Sequence, residues 1–157
     1  MQRLIPLIVL FLCAFLSSNT NAQSLKKRQP LPLVKYNSNV NKPLTSAETA
    51  MLREVYGAAL ETDILSRPQR LKDIKNILRN RFEIIEISNP RDQKKCTLLS
   101  EVALFDAYVK TLKRDVVFDM ATFNPLKYNF SFYALGTHMY RVDHTNYFII
   151  IKSQHQR

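Results

Sequence analysis

The sequence predicts an α+β domain, with an N-terminal helical pair packed on an antiparallel β-meander. Three features carry that expectation. Apolar residues recur at helical spacing between Thr45 and Asn80, and from Arg81 the period shortens to that of strands. The strand-like runs near the C-terminus are joined by turns too short for crossover helices. Helices first and strands afterwards is the order of an α+β fold, and 157 residues with 46% apolar content suit one globular core.

Before the domain comes an address. Met1-Gln2-Arg3 precedes an uncharged run from Leu4 to Leu16, and polar Ser17–Asn21 leads to Ala22. These are the three regions of a secretory signal peptide spanning 1–22, with cleavage expected after Ala22. An anchor would need about 20 apolar residues to cross the hydrocarbon core, and this run is shorter. Cys13 lies inside the apolar run, which argues against a lipid anchor. The expected location is periplasmic or extracellular, and no later stretch approaches membrane-spanning length.

Residues 23–43 read as an extended leader that can lie along the domain. Pro30, Pro32 and Pro43 disfavour helix and central strand, and Asn and Ser crowd 37–41. Its Lys26-Lys27-Arg28 triplet reads as a solvated linker, a processing site or an anion contact. The α+β domain then spans 44–157. Thr45-Ser46-Ala47-Glu48 has the spacing of a capping box, and Met51, Leu52, Val55, Tyr56 and Ala59 continue a helix over 45–60. A second helix starts at Ser66-Arg67-Pro68, where Pro is tolerated in the first turn, and ends near Asn80. Leu71, Ile74, Ile77 and Leu78 form its apolar stripe.

Phe82–Ile87 is rich in β-branched residues and stops at the turn pair Asn89-Pro90, and Lys95–Leu99 is expected to pair back on it. Residues 101–113 are ambiguous: Val102, Phe105, Tyr108, Val109 and Leu112 fit a helix, while the Val, Phe and Tyr content weakens that reading. Tyr128–Tyr133, His138–Val142 and Tyr147–Lys152 read as three further strands. In the first, Tyr128, Phe130 and Phe132 share one face and Asn129, Ser131 and Tyr133 the other. Eleven aromatic side chains lie from Phe105 onward, which marks the C-terminal part as the main core.

Composition excludes several chemistries. Two glycines cannot build a P-loop or a dinucleotide fingerprint, and two cysteines cannot build a zinc finger or a disulfide-stapled miniature. No cofactor or metal is expected. After cleavage Cys96 is the remaining cysteine, open to three readings: a buried thiol, an intermolecular disulfide, or a nucleophile paired with a histidine. His144 sits in the turn Asp143-His144-Thr145, where an Asp more commonly caps backbone N–H groups than supports catalysis. His138 begins an expected strand with no nearby partner in sequence, and His155 lies in the polar C-terminal tail. Glu83, Glu86, Asp115 and Asp119 supply carboxylates without a defined separation.

Charge is more informative. The formal net charge is +10, and loss of Arg3 with the signal peptide lowers it by one. Lys72, Lys75 and Arg79 fall within about a 60° arc of the second helix, and Lys94, Lys95, Lys113 and Arg114 add two clusters. Together they are the candidate anion-binding residues. Export argues against nucleic acid and leaves acidic glycans or other anionic envelope polymers as targets.

Leu99-Ser100-Glu101-Val102, Leu112-Lys113-Arg114-Asp115, Phe123-Asn124-Pro125-Leu126-Lys127-Tyr128 and Tyr140-Arg141-Val142-Asp143 follow one another in an order that resembles a group of short exported bacterial proteins of unassigned function. The resemblance covers about 98–153. It implies a bacterial secreted or periplasmic setting and no catalytic residue. The leading expectation is a non-enzymatic binding or interaction module using a sheet face or edge within Tyr128–Lys152, strand addition being one mode. The alternatives are a cationic binder of anionic polymers and a small hydrolase using Cys96 or His144.

Overall fold

The computed structural model describes residues 33–155. The signal peptide 1–22 and leader residues 23–32 lie outside the described residues. Residues 33–43 of the leader lie along the domain. Ser38–Asn41 closes a 3-10 turn whose Val40 is buried, and Asn39 and Asn80 exchange side-chain hydrogen bonds at 2.7 and 3.0 Å. This segment is a strap held against the second helix.

Helix α1 (Ser46–Tyr56) starts at the expected capping box. The Glu48 N–H donates to Thr45 Oγ1 at 3.1 Å and the Thr45 N–H donates to Glu48 Oε2 at 2.8 Å. Leu52, Val55 and Tyr56 face the core. The α-helix stops four residues earlier than its periodicity suggests, because Gly57 adopts φ +51°. The chain tightens into a 3-10 turn (Gly57–Ala59) and then widens into a π-turn (Leu60–Leu65), which keeps Leu60 and Ile64 buried. Helix α2 (Pro68–Asn76) has Pro in its first turn as expected, and a π-turn (Ile77–Arg81) extends it directly to the first strand. No helix among the described residues is long and apolar enough to cross a membrane.

The sheet has four strands in the order β1-β4-β3-β2: β1 (Phe82–Glu86), β2 (Thr97–Leu98), β3 (His138–Arg141) and β4 (Tyr147–Ile151). β4 pairs antiparallel with both neighbours, setting Ile149 opposite Ile84 on one side and Tyr140 on the other. The fold is α+β with a mostly antiparallel sheet. The expected pairing of Lys95–Leu99 with β1 is not formed. Thr97 and Leu98 instead run parallel to β3 at the far edge, opposite Tyr140 and Arg141. β4 reads Tyr-Phe-Ile-Ile-Ile, apolar on both faces, so a central position buries more of it than an edge would. β1 therefore takes its free side. Being paired on both sides, β4 offers no edge for strand addition.

One ambiguity is resolved and one further expectation changes. Residues 101–113 form no helix: after a 3-10 turn (Leu99–Glu101) the chain is irregular, with a single bridge from Leu104 to Tyr128. Tyr128–Tyr133 is not a strand either. The Phe130 N–H donates to the Tyr128 carbonyl and the Phe132 N–H to the Phe130 carbonyl, two tight turns in succession. Residues 103–105 take up the neighbouring backbone, Phe105 N–H donating to Lys127 O at 2.7 Å and Asn129 N–H to Ala103 O at 2.9 Å. The expected alternation survives without the strand: Tyr128 and Phe130 are buried, and Asn129 and Tyr133 are exposed.

The core has two centres. One gathers the sheet face of Tyr140, Ile149 and Ile151 with Phe123, Tyr128 and Phe130. The other gathers Leu52, Val55, Ile64, Ile74 and Ile77 of the helical part with Leu126. Phe132 packs against both. The aromatic segment is thus a middle layer through which helices and sheet meet.

Candidate functional site

α2 and the π-turn that extends it present Arg70, Ile74, Ile77 and Arg81 at i, i+4, i+7 and i+11. The two isoleucines are buried beneath the aromatic layer, and a cation stands at either end of the stripe. At the Arg70 end lies a cleft of about 290 Å³. Its floor is Ile74, Ile77 and Leu126. Its walls are the rings of Tyr56, Phe105, Tyr128, Phe130, Phe132 and Tyr133.

The walls are ordered by ring-to-ring contact. Phe130 meets Phe132 edge-on at 5.9 Å and Tyr128 at 5.5 Å, and Tyr56 meets Phe105 edge-on at 6.1 Å. Tyr133, 67% exposed, stands at the rim. Arg70 donates to the Tyr108 hydroxyl at 3.0 Å, and its guanidinium carbon lies 5.8 Å from the centres of both the Tyr56 and Tyr108 rings. No carboxylate among the described residues forms an ion pair with it. Burial pushes the Tyr56 hydroxyl up to about 12, against the pull of Arg70, so it stays protonated. The polar groups facing the cleft are thus one guanidinium, phenol hydroxyls and the Asn129 amide.

The seven sequence-predicted basic residues do not form one surface. Lys72 lies over the Tyr36 ring at 4.4 Å. Lys75 is buried, with Nζ donating to the Lys42 carbonyl at 2.8 Å. Arg79 donates to both oxygens of Glu48 at 2.6 Å and to the carbonyls of Asn39, Lys42 and Pro43. These three fasten the strap. Lys94 and Lys95 border a shallow depression with Cys96 and Arg141. Lys113 is exposed, and Arg114 donates to the carbonyls of Leu99 and Val102 and covers the Tyr128 ring.

Cys96 is half-buried beside Arg141, and burial pushes its thiol up, away from thiolate. The parallel register sets Thr97 level with Tyr140, so Cys96 lies towards the start of β3, whereas His144 occupies the turn beyond its end. His144 takes φ +56° in that turn and is exposed. Asp143 accepts from the Ser100 N–H at 2.9 Å and the Ser100 hydroxyl at 2.5 Å. Burial raises its carboxyl, but these donors outweigh burial and hold it below the usual range. Among the described residues no three His, Cys, Asp or Glu side chains gather as a metal site.

Sequence reasoning missed Arg70 and Arg81. The signal was present, since both interrupt an apolar stripe with a charge, but the flanking Lys72, Lys75 and Arg79 drew attention to the neighbouring face. Comparison with family models, with curated proteins and with solved structures finds no match for this chain.

Proposed function

We propose that the chain is an exported, non-enzymatic binding module. Its ligand is a small molecule with an aromatic or aliphatic body and one acidic group. The observation that carries this reading is the aromatic cleft with the unpaired Arg70 at its mouth. Rings supply apolar contact area, and a cation without a carboxylate favours an anionic head group. The lining holds no carboxylate, histidine or thiol to move a proton or attack a bond, which supports binding over turnover. Tyr128, Phe130, Phe132 and Tyr133 fall within the segment expected to engage a partner. The sequence of a basic n-region, an uncharged apolar h-region and a polar c-region over 1–22 supports export.

The test compares 3-phenylpropanoate with its uncharged analogue 3-phenylpropan-1-ol by calorimetric titration of the full chain. The acid is expected to bind about tenfold tighter, the scale of one charge-assisted contact. Arg70→Met should remove that preference while leaving the alcohol unchanged. Tyr133→Ala, at the exposed rim, should weaken both. Equal affinity for acid and alcohol, or no binding of either at millimolar concentration, would overturn the proposal.

A further inference from the structure

The opposite end of the stripe, in the π-turn after α2, is built differently. Arg81 is 5% exposed, yet among the described residues no carboxylate forms an ion pair with it. Residues 1–32 contain no Asp or Glu that could supply one. Its Nε donates to the Lys152 carbonyl at 3.0 Å and its Nη2 to the Phe132 carbonyl, which fixes the plane of the guanidinium. Nη1 has no partner among the described residues. Burial pulls the guanidinium down from its ordinary range, opposed only by Tyr133, Asp73 and Tyr36 at longer reach. Asp73 itself accepts from the Tyr36 hydroxyl and from Gln69.

The contrast with Lys127 is instructive. That buried cation holds Asp115 at 2.5 Å and Glu54 at 3.1 Å. A buried charge left without a counterion is strongly destabilising, and an apolar side chain of the same size would commonly serve stability as well. Arg81 is therefore poorly explained by packing alone.

Arg81 lines a polar cleft of about 520 Å³ between the strap, the end of α2 and the chain after β4. Asn76, 4% exposed, lines it too. The Asn76 Oδ1 accepts from Asn80 at 2.9 Å, and its Nδ2 has no partner among the described residues. Two side chains, each more than nine-tenths buried, thus offer unfilled N–H donors to one cleft. Lys35 adds a cation at its exposed side, and Asn37, Ser153 and Gln154 line it with groups suited to hydroxyls. Arg79 also borders the cleft, but Glu48 and strap carbonyls occupy its donors.

We propose that this cleft binds an acidic saccharide unit, its oxyanion held by Arg81 Nη1 and Asn76 Nδ2 and its ring hydroxyls by Asn37, Ser153 and Gln154. A planar guanidinium fixed by two backbone carbonyls is preorganised for a carboxylate or phosphate oxygen. The cleft is larger than a bare oxyanion needs, and its walls are polar where the Arg70 cleft is aromatic. The two sites are separate, so either can fail without the other.

The full chain would be titrated calorimetrically with glucuronate, glucose 6-phosphate, acetate, inorganic phosphate and glucose. At least one acidic sugar should bind tenfold or more tighter than glucose and than its own bare anion. Whether that is glucuronate or glucose 6-phosphate distinguishes a carboxylate from a phosphate source. Arg81→Met should reduce that affinity at least tenfold. Since that variant disturbs a buried position, Asn76→Asp provides a second arm. It sets a carboxylate on the wall of the same cleft, and should raise the melting temperature while lowering acidic-sugar affinity tenfold or more. Acidic sugars binding no tighter than their bare anions, or unchanged affinity in Asn76→Asp, would overturn the proposal.

Discussion

Glu48 carries two jobs at once. It completes the capping box of α1 and pairs with Arg79 through two short contacts, and the Arg79 hydrogen bonds hold its carboxyl down at about 2. A depressed carboxylate contributes stability above its unfolded value and loses it as pH falls through its folded value. The chain should therefore lose about 2 kcal/mol between pH 5 and pH 2 from this group, after allowance for solvent screening. Glu48→Gln retains a capping-box side chain but removes the charge. Urea unfolding at pH 7 should find it weaker by a similar amount, with a flatter acid limb. Lys127 makes a comparable node, holding Asp115 and Glu54 while Asn124 Nδ2 donates to Met51 O and Glu54 at 2.9 Å. Lys127→Ala should cost about 2–3 kcal/mol, less than a fully buried pair because both carboxylates are partly exposed.

Among the elements, the end of α1 is set by one close approach. A Cβ at Gly57 would lie 3.1 Å from Val109 Cγ2, and the residue's φ is +51°. Gly57→Ala should cost about 1–2 kcal/mol, from left-handed backbone and crowding together. Adding Val109→Ala should recover the crowding part and leave the backbone part, a coupling that a double-mutant cycle in denaturant would measure. The same contact shows why 101–113 is irregular. Its side chains are fitted to α1 and to the rings around Tyr56, Phe105 and Tyr108, so it follows those positions in place of a helix. The four runs Leu99–Val102, Leu112–Asp115, Phe123–Tyr128 and Tyr140–Asp143 also meet as a framework. Ser100 holds Asp143, Arg114 holds the Leu99 and Val102 carbonyls, and Asp115 holds Lys127. Each pair spans two runs, giving those residues structural work in this chain.

At the scale of the molecule, the strap over 33–43 is part of the domain. Val40 is 2% exposed, and Lys75 and Arg79 reach strap carbonyls. A chain begun at Leu44 should lose about 2–3 kcal/mol and melt roughly 10 °C lower, since it loses an apolar contact and strands two cations. Thermal unfolding followed by circular dichroism would check this, and an unchanged melting temperature would count against the strap. The strap and the C-terminal residues also wall the polar cleft, so the same truncation should abolish acidic-sugar binding.

Local patterns determined much of this architecture. Capping chemistry located the start of α1, Pro68 the start of α2, and short strand-forming runs the positions of all four strands, with Tyr128–Tyr133 the expected strand that did not form. Each is a short-range preference that a few neighbouring side chains enforce. Chain order and composition also determined the α+β class. What only the tertiary structure decided is partnership. β4 lies at the centre because an apolar run is buried best between two neighbours, and Thr97-Leu98 was left to the opposite edge. Lys75 and Arg79 became fasteners because backbone carbonyls of the strap lay within reach. Arg70 and Arg81 mark the two candidate sites because, among the described residues, no acidic side chain forms an ion pair with either. Spacing along a chain says which face a residue occupies, whereas the presence or lack of a counterion is a fact of three dimensions.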